Sequence, residues 1–335
     1  MDRSIAEAKK QYYHNTFGRF KNNMKKTWNL INETMGRHKK ESKLPTSVIY
    51  ENKTVTDPAE IACAFNDYFS KIGSTVSDNI EDNTDNITYK SYLDTRSAVN
   101  CTFKKVTVDE IIIIINKMDN KSSSGYDAIS NKILKHIKHE ICAELTLIIN
   151  QMLDTGIFPS SLKLSKIIPL YKKGDINSLN NYRPISLLPT LSKIFERVIY
   201  NQLYSYFTNN NLLSEQQYGF RAKHSTELAA IKLVDYIKAE IDRKHTPINI
   251  YIDLSEAFDT INYEILLYKL EYYGVRGVPL LLLENYLTNR EQYVKYNIHK
   301  SSLTNINTGV PQGSILGPLL FSIYINDLVN VSNKF

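Results

Sequence analysis

Three cysteines in 335 residues, Cys63, Cys101 and Cys142, are too few and too widely spaced for a disulfide framework or a zinc site. They read as reduced thiols of an intracellular protein. Long apolar runs are missing as well. Ile111–Ile115 is a run of isoleucines far short of the roughly 18 apolar residues of a membrane helix. The opening Met-Asp-Arg-Ser-Ile-Ala-Glu lacks the apolar core of a signal peptide. The sequons Asn52-Lys-Thr and Asn86-Ile-Thr are therefore read as chance matches.

What is present is an ordinary globular composition, 42% hydrophobic and 23% charged, with material for one large domain or two smaller ones. The net charge of +6 is unevenly spread. Residues 1–43 hold 11 Lys/Arg against 4 Asp/Glu, a net of +7, which leaves −1 for residues 44–335. Such an arm suits a phosphate backbone through counterion release, or forms a solvated face. Tyr12, Tyr13, Phe17, Phe20, Trp28, Leu30 and Ile31 lie among its cations. Rings and cations interleaved in this way can stack on bases, or the rings can pack onto a neighbouring domain. Packing is expected for most of the rings and nucleic acid for the lysines.

Along the chain, Pro58 suits a first helical turn, and Ile61, Ala64, Phe65, Tyr68, Phe69 and Ile72 form a helical stripe that Gly73 is expected to close. Residues 74–106 read as a polar linker. Thr107-Val-Asp-Glu110 opens a helix, and others are expected over 129–137, 142–154, 191–206 and 226–241. Lys166–Tyr171 reads as a strand that turns through Lys172-Lys-Gly-Asp175 and returns at Asn181-Tyr-Arg183-Pro184. In Pro247-Ile-Asn-Ile-Tyr-Ile-Asp253-Leu-Ser-Glu-Ala-Phe258-Asp259, the alternation of Ile248, Ile250, Ile252 and Leu254 predicts a half-buried strand. Asp253 would then face a cleft at the strand's end, or serve as a turn or capping residue. Asn262 is an expected helix cap with Ile261 and Leu266 as its staple. Two strands, 292–297 and 303–308, precede a Gly309-Val-Pro-Gln312-Gly313-Ser314 loop and a helix start at Gly317-Pro318.

The Asp253-x-x-x-x-Phe258-Asp259 pattern resembles the first catalytic motif of reverse transcriptases of non-LTR (LINE-type) retrotransposons. Lys121-Ser-Ser-Ser-Gly125-Tyr-Asp127, Asn181-Tyr-Arg183-Pro184-Ile-Ser-Leu-Leu188, Gln217-Tyr-Gly219-Phe220-Arg221 and Gly309-Val-Pro311-Gln312-Gly313-Ser314 match the same family in the same order. The resemblance implies an α+β fold: right-hand polymerase fingers and a partial palm, an antiparallel sheet packed on helices. Residues 107–335 would form this unit, behind a basic helical extension over 1–73 and the linker. It implies Mg²⁺-dependent, RNA-directed DNA synthesis primed at a nicked DNA end. The partners are then an RNA template, a DNA primer and dNTPs, with no membrane, in nucleus and cytoplasm.

In that scheme Asp253, with the carbonyl of Leu254, is a metal ligand. Lys172 and Arg183 hold the incoming phosphates, and Phe258 lies under the sugar, where it disfavours a 2′-hydroxyl. Gln312 and Gly313 support the base pair, while Lys121, Gly219, Phe220 and Arg221 lie near the template. Bulky Phe258 weighs against an RNA-templated RNA polymerase. The family's second pair of carboxylates comes from an Ala-Asp-Asp turn, and that tripeptide does not occur in these 335 residues. The expectation is thus a fragment ending before the turn, inactive alone, and Asp259 is read as a helix-start residue rather than a substitute. The alternative is a non-catalytic nucleic-acid-binding relic or domesticated fragment.

Removing residues 1–43 is expected to weaken RNA and DNA binding and flatten its dependence on salt, measured by filter binding from 50 to 300 mM NaCl. Equal affinity and an unchanged slope would give the arm another use.

Overall fold

The computed structural model describes residues 2–21, 23–36, 44–78, 88–93, 96–120 and 123–331. Two compact units result, Met1–Pro45 and Thr46–Phe335. The smaller consists of helices α1 (Asp2–Phe20) and α2 (Met24–Thr34). Asn23 caps α2 by accepting the Lys26 N–H at 3.1 Å. Tyr12 and Trp28 are both 58% exposed.

The larger unit begins with a small hairpin, β1 (Val48–Tyr50) and β2 (Lys53–Val55), followed by α3 (Pro58–Asp78). Helices α4 (Val108–Lys117), α5 (Asn131–His136) and α6 (Lys138–Thr155) precede the hairpin of β3 (Leu164–Tyr171) and β4 (Tyr182–Leu187). Then come α7 (Thr190–Asn209), α8 (Thr226–Asp242), α9 (Tyr263–Tyr272) and α10 (Val278–Leu287). Strands β5 (Arg290–Tyr296), β6 (His299–Lys300) and β7 (Thr304–Ile306) and helix α11 (Gly317–Tyr324) complete it. Among the described residues no helix is long and apolar enough to cross a membrane.

Local sequence explains most of these boundaries. Thr107 and Glu110 form a reciprocal capping box on α4, and Gly156 ends α6 in the left-handed region at φ 73°. The Asn262 side chain accepts the Ile265 N–H at 3.1 Å, and its flanking staple residues, Ile261 and Leu266, are fully buried. Helix α7 is the core's axis. Its Ile194, Phe195, Val198, Ile199, Leu203 and Phe207 are each at most 2% exposed, inside a cluster shared with α4, α6, α9, α10 and α11.

The main sheet runs β4-β3-β5-β6, with β7 also on β5. It is mixed, not antiparallel as expected: β3 and β5 pair in parallel, Leu164 to Glu291 through Ile167 to Val294. Parallel neighbours need a long crossover, and the intervening helices supply it. Pro169 sits opposite Pro184, where β3 has lost its β5 neighbour. Neither proline can donate, so this must be a pair that exchanges no hydrogen bonds.

Three further expectations fail. The boundary after Gly73 is absent, because α3 runs to Asp78 and lies on β5, β6 and β7. Its stripe, with Phe65 fully buried, needs that sheet to leave water. Nor are residues 96–106 a free linker: Ser97 N–H donates to the Tyr272 carbonyl and Cys101 N–H to that of Gly274, at 3.1 and 2.8 Å. Residues 79–87, 94 and 95 of the expected linker lie outside the described residues. Finally, 248–254 is not a strand. Ile248, Ile250 and Ile252 are 72–87% exposed and pair with nothing among the described residues. Alternation fits a sheet face, but the ladder is what makes a strand.

Gly73 has a different use from the expected stop. A Cβ there would stand 2.0 Å from the Thr308 hydroxyl and 2.5 Å from the Asp259 carbonyl oxygen. Gly→Ala in an exposed helix interior stabilises by about 1 kcal/mol. Gly73→Ala is expected instead to destabilise by about 1–3 kcal/mol in urea denaturation, as overpacking does.

Candidate active site

Four segments that the sequence singled out converge on one place. The β3–β4 hairpin carries Arg183 on its exposed face opposite Leu170, and the Lys172 N–H closes its tip on the Asn181 carbonyl at 2.8 Å. Both side chains, Lys172 and Arg183, are exposed. The outer edge of β4 is covered by the Gly309–Ser314 loop, where the Ser186 N–H donates to the Gln312 carbonyl at 2.9 Å. The same loop is bonded to the turn before α9: Gly309 N–H to the Ile261 carbonyl and Val310 N–H to that of Phe258, both 2.8 Å. Its far end is held by Glu196 of α7, which accepts Ile315 N–H at 2.5 Å and Leu316 N–H at 3.4 Å. Glu196 is wholly buried, and burial raises its carboxyl above the ordinary range against the pull of those bonds.

Phe258 is wedged between Phe220 and Phe321, with ring centroids 5.8 and 5.1 Å away. Phe220 adopts φ 59°, a left-handed turn beside the exposed Gly219. The Arg221 guanidinium donates to the Ser214 carbonyl, so it braces its own turn. Gly313 is exposed at φ 131°, and a Cβ there would meet the Ser186 carbonyl oxygen at 2.7 Å. Lys121 lies outside the described residues. Asp253 and Leu254 do not join the group by any hydrogen bond or strand pairing. Both are exposed, in irregular backbone.

Asp259, dismissed by the sequence reading, is at the centre. The Gln312 side-chain amide donates to its Oδ2. The carboxyl lines a cleft of about 40 Å³ with Arg290, Tyr263, Ser186 and Gln312, enough for about one water and far too small for a nucleotide. Burial lifts the Asp259 carboxyl to about 7, with Glu256 adding to the shift and Gln312 opposing it. The glycines Gly73 and Gly309 make room for its backbone, a use that shows only once the neighbouring segment is in place.

A larger groove of about 910 Å³ runs between α4 and α7 and reaches Gly313 and Ile315. Lys104, Lys105, Lys117, Lys193 and Arg197 line it against the acidic Glu110 and Asp119. Lys105 pairs with Asp154 at 2.9 Å, and the Arg197 guanidinium stacks over Tyr200. Asp327, by contrast, is committed to structure, in a buried pair with Lys269 at 2.5 Å.

Residues 170–335 match the family model described as "Reverse transcriptase (RNA-dependent DNA polymerase)". The chain is similar to the RNA-directed DNA polymerase from mobile element jockey of Drosophila melanogaster, 32% identical over 243 residues, covering 71% of this chain and 26% of that protein. It is 35% identical over 243 residues to the RNA-directed DNA polymerase that transposon BS of the same fly is inferred to encode, covering 70% and 26%. The jockey polymerase of Drosophila funebris is 31% identical over 230 residues, covering 67% and 25%. The chain thus spans about a quarter of the length of these curated relatives.

The Asp259 carboxyl holds its proton more tightly folded than unfolded. Its contribution to stability is full below about pH 4 and is lost as pH rises through about 7. Asp259→Asn should remove that dependence. In denaturant titrations from pH 4 to 8, wild type should lose up to about 4 kcal/mol relative to the variant.

Proposed function

Because the chain carries a reverse transcriptase domain homologous to the RNA-directed DNA polymerases of non-LTR retrotransposons, we propose that it supplies the nucleotide-handling surfaces of RNA-templated DNA synthesis. One observation carries this reading. The Gly309–Ser314 loop bonds at once to the strand bearing Arg183 and to the turn bearing Phe258. Groups suited to phosphate, sugar and base pair are thereby held in one neighbourhood, as fingers and palm would hold them.

In this reading Arg183 offers phosphates a bidentate fork and Lys172 a mobile point charge from the hairpin tip. Phe258, fixed by its two aromatic neighbours, closes the space a 2′-hydroxyl would need and so selects deoxynucleotides. Gln312 and Gly313 support the base pair, and Gly219 and Phe220 lie along the template. The basic groove that ends at Gly313 suits the sugar-phosphate backbone of a nucleic acid strand leaving the site. An RNA template, a DNA primer at a nicked target and dNTPs are the partners.

Divalent cations serve this reaction class by stabilising the attacking and leaving oxygens. The described residues do not by themselves fit such a metal pair. Asp253 is exposed, and no three His, Cys, Asp or Glu groups stand close enough to hold an ion among the described residues. Hard cations need several oxygens at once, and one carboxylate with the Leu254 carbonyl gives two. The same observation favours a second reading for residues 1–335 in isolation, that of a nucleic-acid-binding module without catalysis.

Primer extension separates the two. Purified residues 1–335 are expected to give no template-dependent incorporation. A polypeptide that continues through a segment carrying an Ala-Asp-Asp turn should extend a DNA primer on RNA and lose that activity with Asp253→Ala. A folded extended polypeptide that incorporates nothing, or is indifferent to Asp253→Ala, removes the polymerase reading.

A further inference from the structure

We propose that Asp259 is the positioning residue of Gln312: its carboxylate takes the NH₂ end of the Gln312 amide and leaves the Oε1 end presented outward. Gaining a proton turns Asp259 into a donor, and the amide reverses. The proposal goes beyond the base-pair support suggested for Gln312 and rests on it only for its consequence, not for the coupling itself.

The geometry fixes both partners. The Gln312 backbone is pinned to β4 through the Ser186 N–H at 2.9 Å. The Asp259 backbone is pinned by its own N–H to the Glu256 carbonyl at 2.8 Å, and by α3 and the loop closing on either side. Both approaches exist only because residues 73 and 309 are glycine. A Cβ on Gly309 would lie 2.7 Å from the Asp259 Cα, and one on Gly73 2.5 Å from its carbonyl oxygen. With both backbones held, the remaining freedom of the pair is which end of the amide faces the carboxyl. An ionised carboxylate only accepts, so it selects NH₂; a protonated one can donate, so it can select Oε1. The outward end of Gln312 therefore changes from acceptor to donor as pH falls.

Several groups face this carboxyl. Glu256 of its own turn repels the ionised form and shares a side-chain hydrogen bond with the protonated one, in competition with the Gln312 amide, and Tyr68 of α3 senses the charge in turn. Arg290 and Glu291 of β5 and Tyr263 of α9 line the same cleft. The Arg290 Nη2 and the Tyr263 hydroxyl are buried without a hydrogen-bond partner, so no direct bond neutralises Asp259 from that side. Burial and Glu256 together bring the carboxyl to about 7, so the switch falls near neutrality.

The test needs neither nucleotide nor nucleic acid. In ¹⁵N-labelled residues 1–335, the side-chain amide pair missing from Gln312→Met is that of Gln312. Its resonances should move between pH 5.5 and 8.5 with a midpoint near 7, and stay fixed in Asp259→Asn. The Asp259 carboxyl carbon should titrate with the same midpoint, displaced upward in Gln312→Met because an opposing hydrogen bond is gone. A Gln312 amide that does not respond to pH, or one that still titrates in Asp259→Asn, overturns the proposal. A titrating amide beside primer extension by the polypeptide that carries the Ala-Asp-Asp turn, unchanged by Gln312→Met, would uphold the coupling and remove only the base-pair role.

Discussion

The architecture of the candidate site depends on satisfying the backbone of one loop. Residues 309–316 bury Val310 and Leu316 in the core, and their backbone joins three parts of the larger unit. Their N–H groups go to the Ile261 and Phe258 carbonyls at one end and to the Glu196 carboxylate at the other, and a carbonyl in the middle takes the free edge of β4. A buried backbone group left unpaired costs about 1–3 kcal/mol. The loop therefore cannot shift from any one anchor without losing several bonds together. Together with the burial of Val310 and Leu316, this makes the segment rigid enough to place Gln312 and Gly313.

Glu196 is the costly member of that arrangement. A carboxylate fully inside α7's core face is unfavourable, and its direction of shift records it. It is tolerated because it accepts the Ile315 and Leu316 N–H groups of the loop just before α11. Asp259 repeats the pattern on a smaller scale. A buried carboxyl is bonded by the Gln312 amide and by Glu256 and walled in by two glycines, and its energetic cost becomes a proton affinity near neutrality.

The contrast with residues 226–254 is instructive. Helix α8 buries none of its residues, and Leu228, Ile231, Val234, Tyr236 and Ile241 stand 46–59% exposed. The stretch after it keeps its isoleucines in water. Both have the periodicity of packed elements, and among the described residues neither has a surface to pack against. Asp253 is exposed for the same reason: the strand that would aim it is not formed.

Capping, turn and periodicity signals are local, so the sequence alone determined where most helices begin and end, the Lys166–Leu187 hairpin, and the motifs that resemble a reverse transcriptase. Thr107, Asn262, Gly156 and Pro318 act within a few residues of themselves, and no tertiary contact overrides them. The fate of Gly73, the parallel pairing of β3 with β5, the bracing role of Arg221 and the importance of Asp259 were decided only by the tertiary structure. Each depends on what another segment, tens to hundreds of residues away, brings to within a few ångströms. A glycine that stops a helix and one that admits a neighbouring backbone look alike in sequence, because the difference lies in the neighbour.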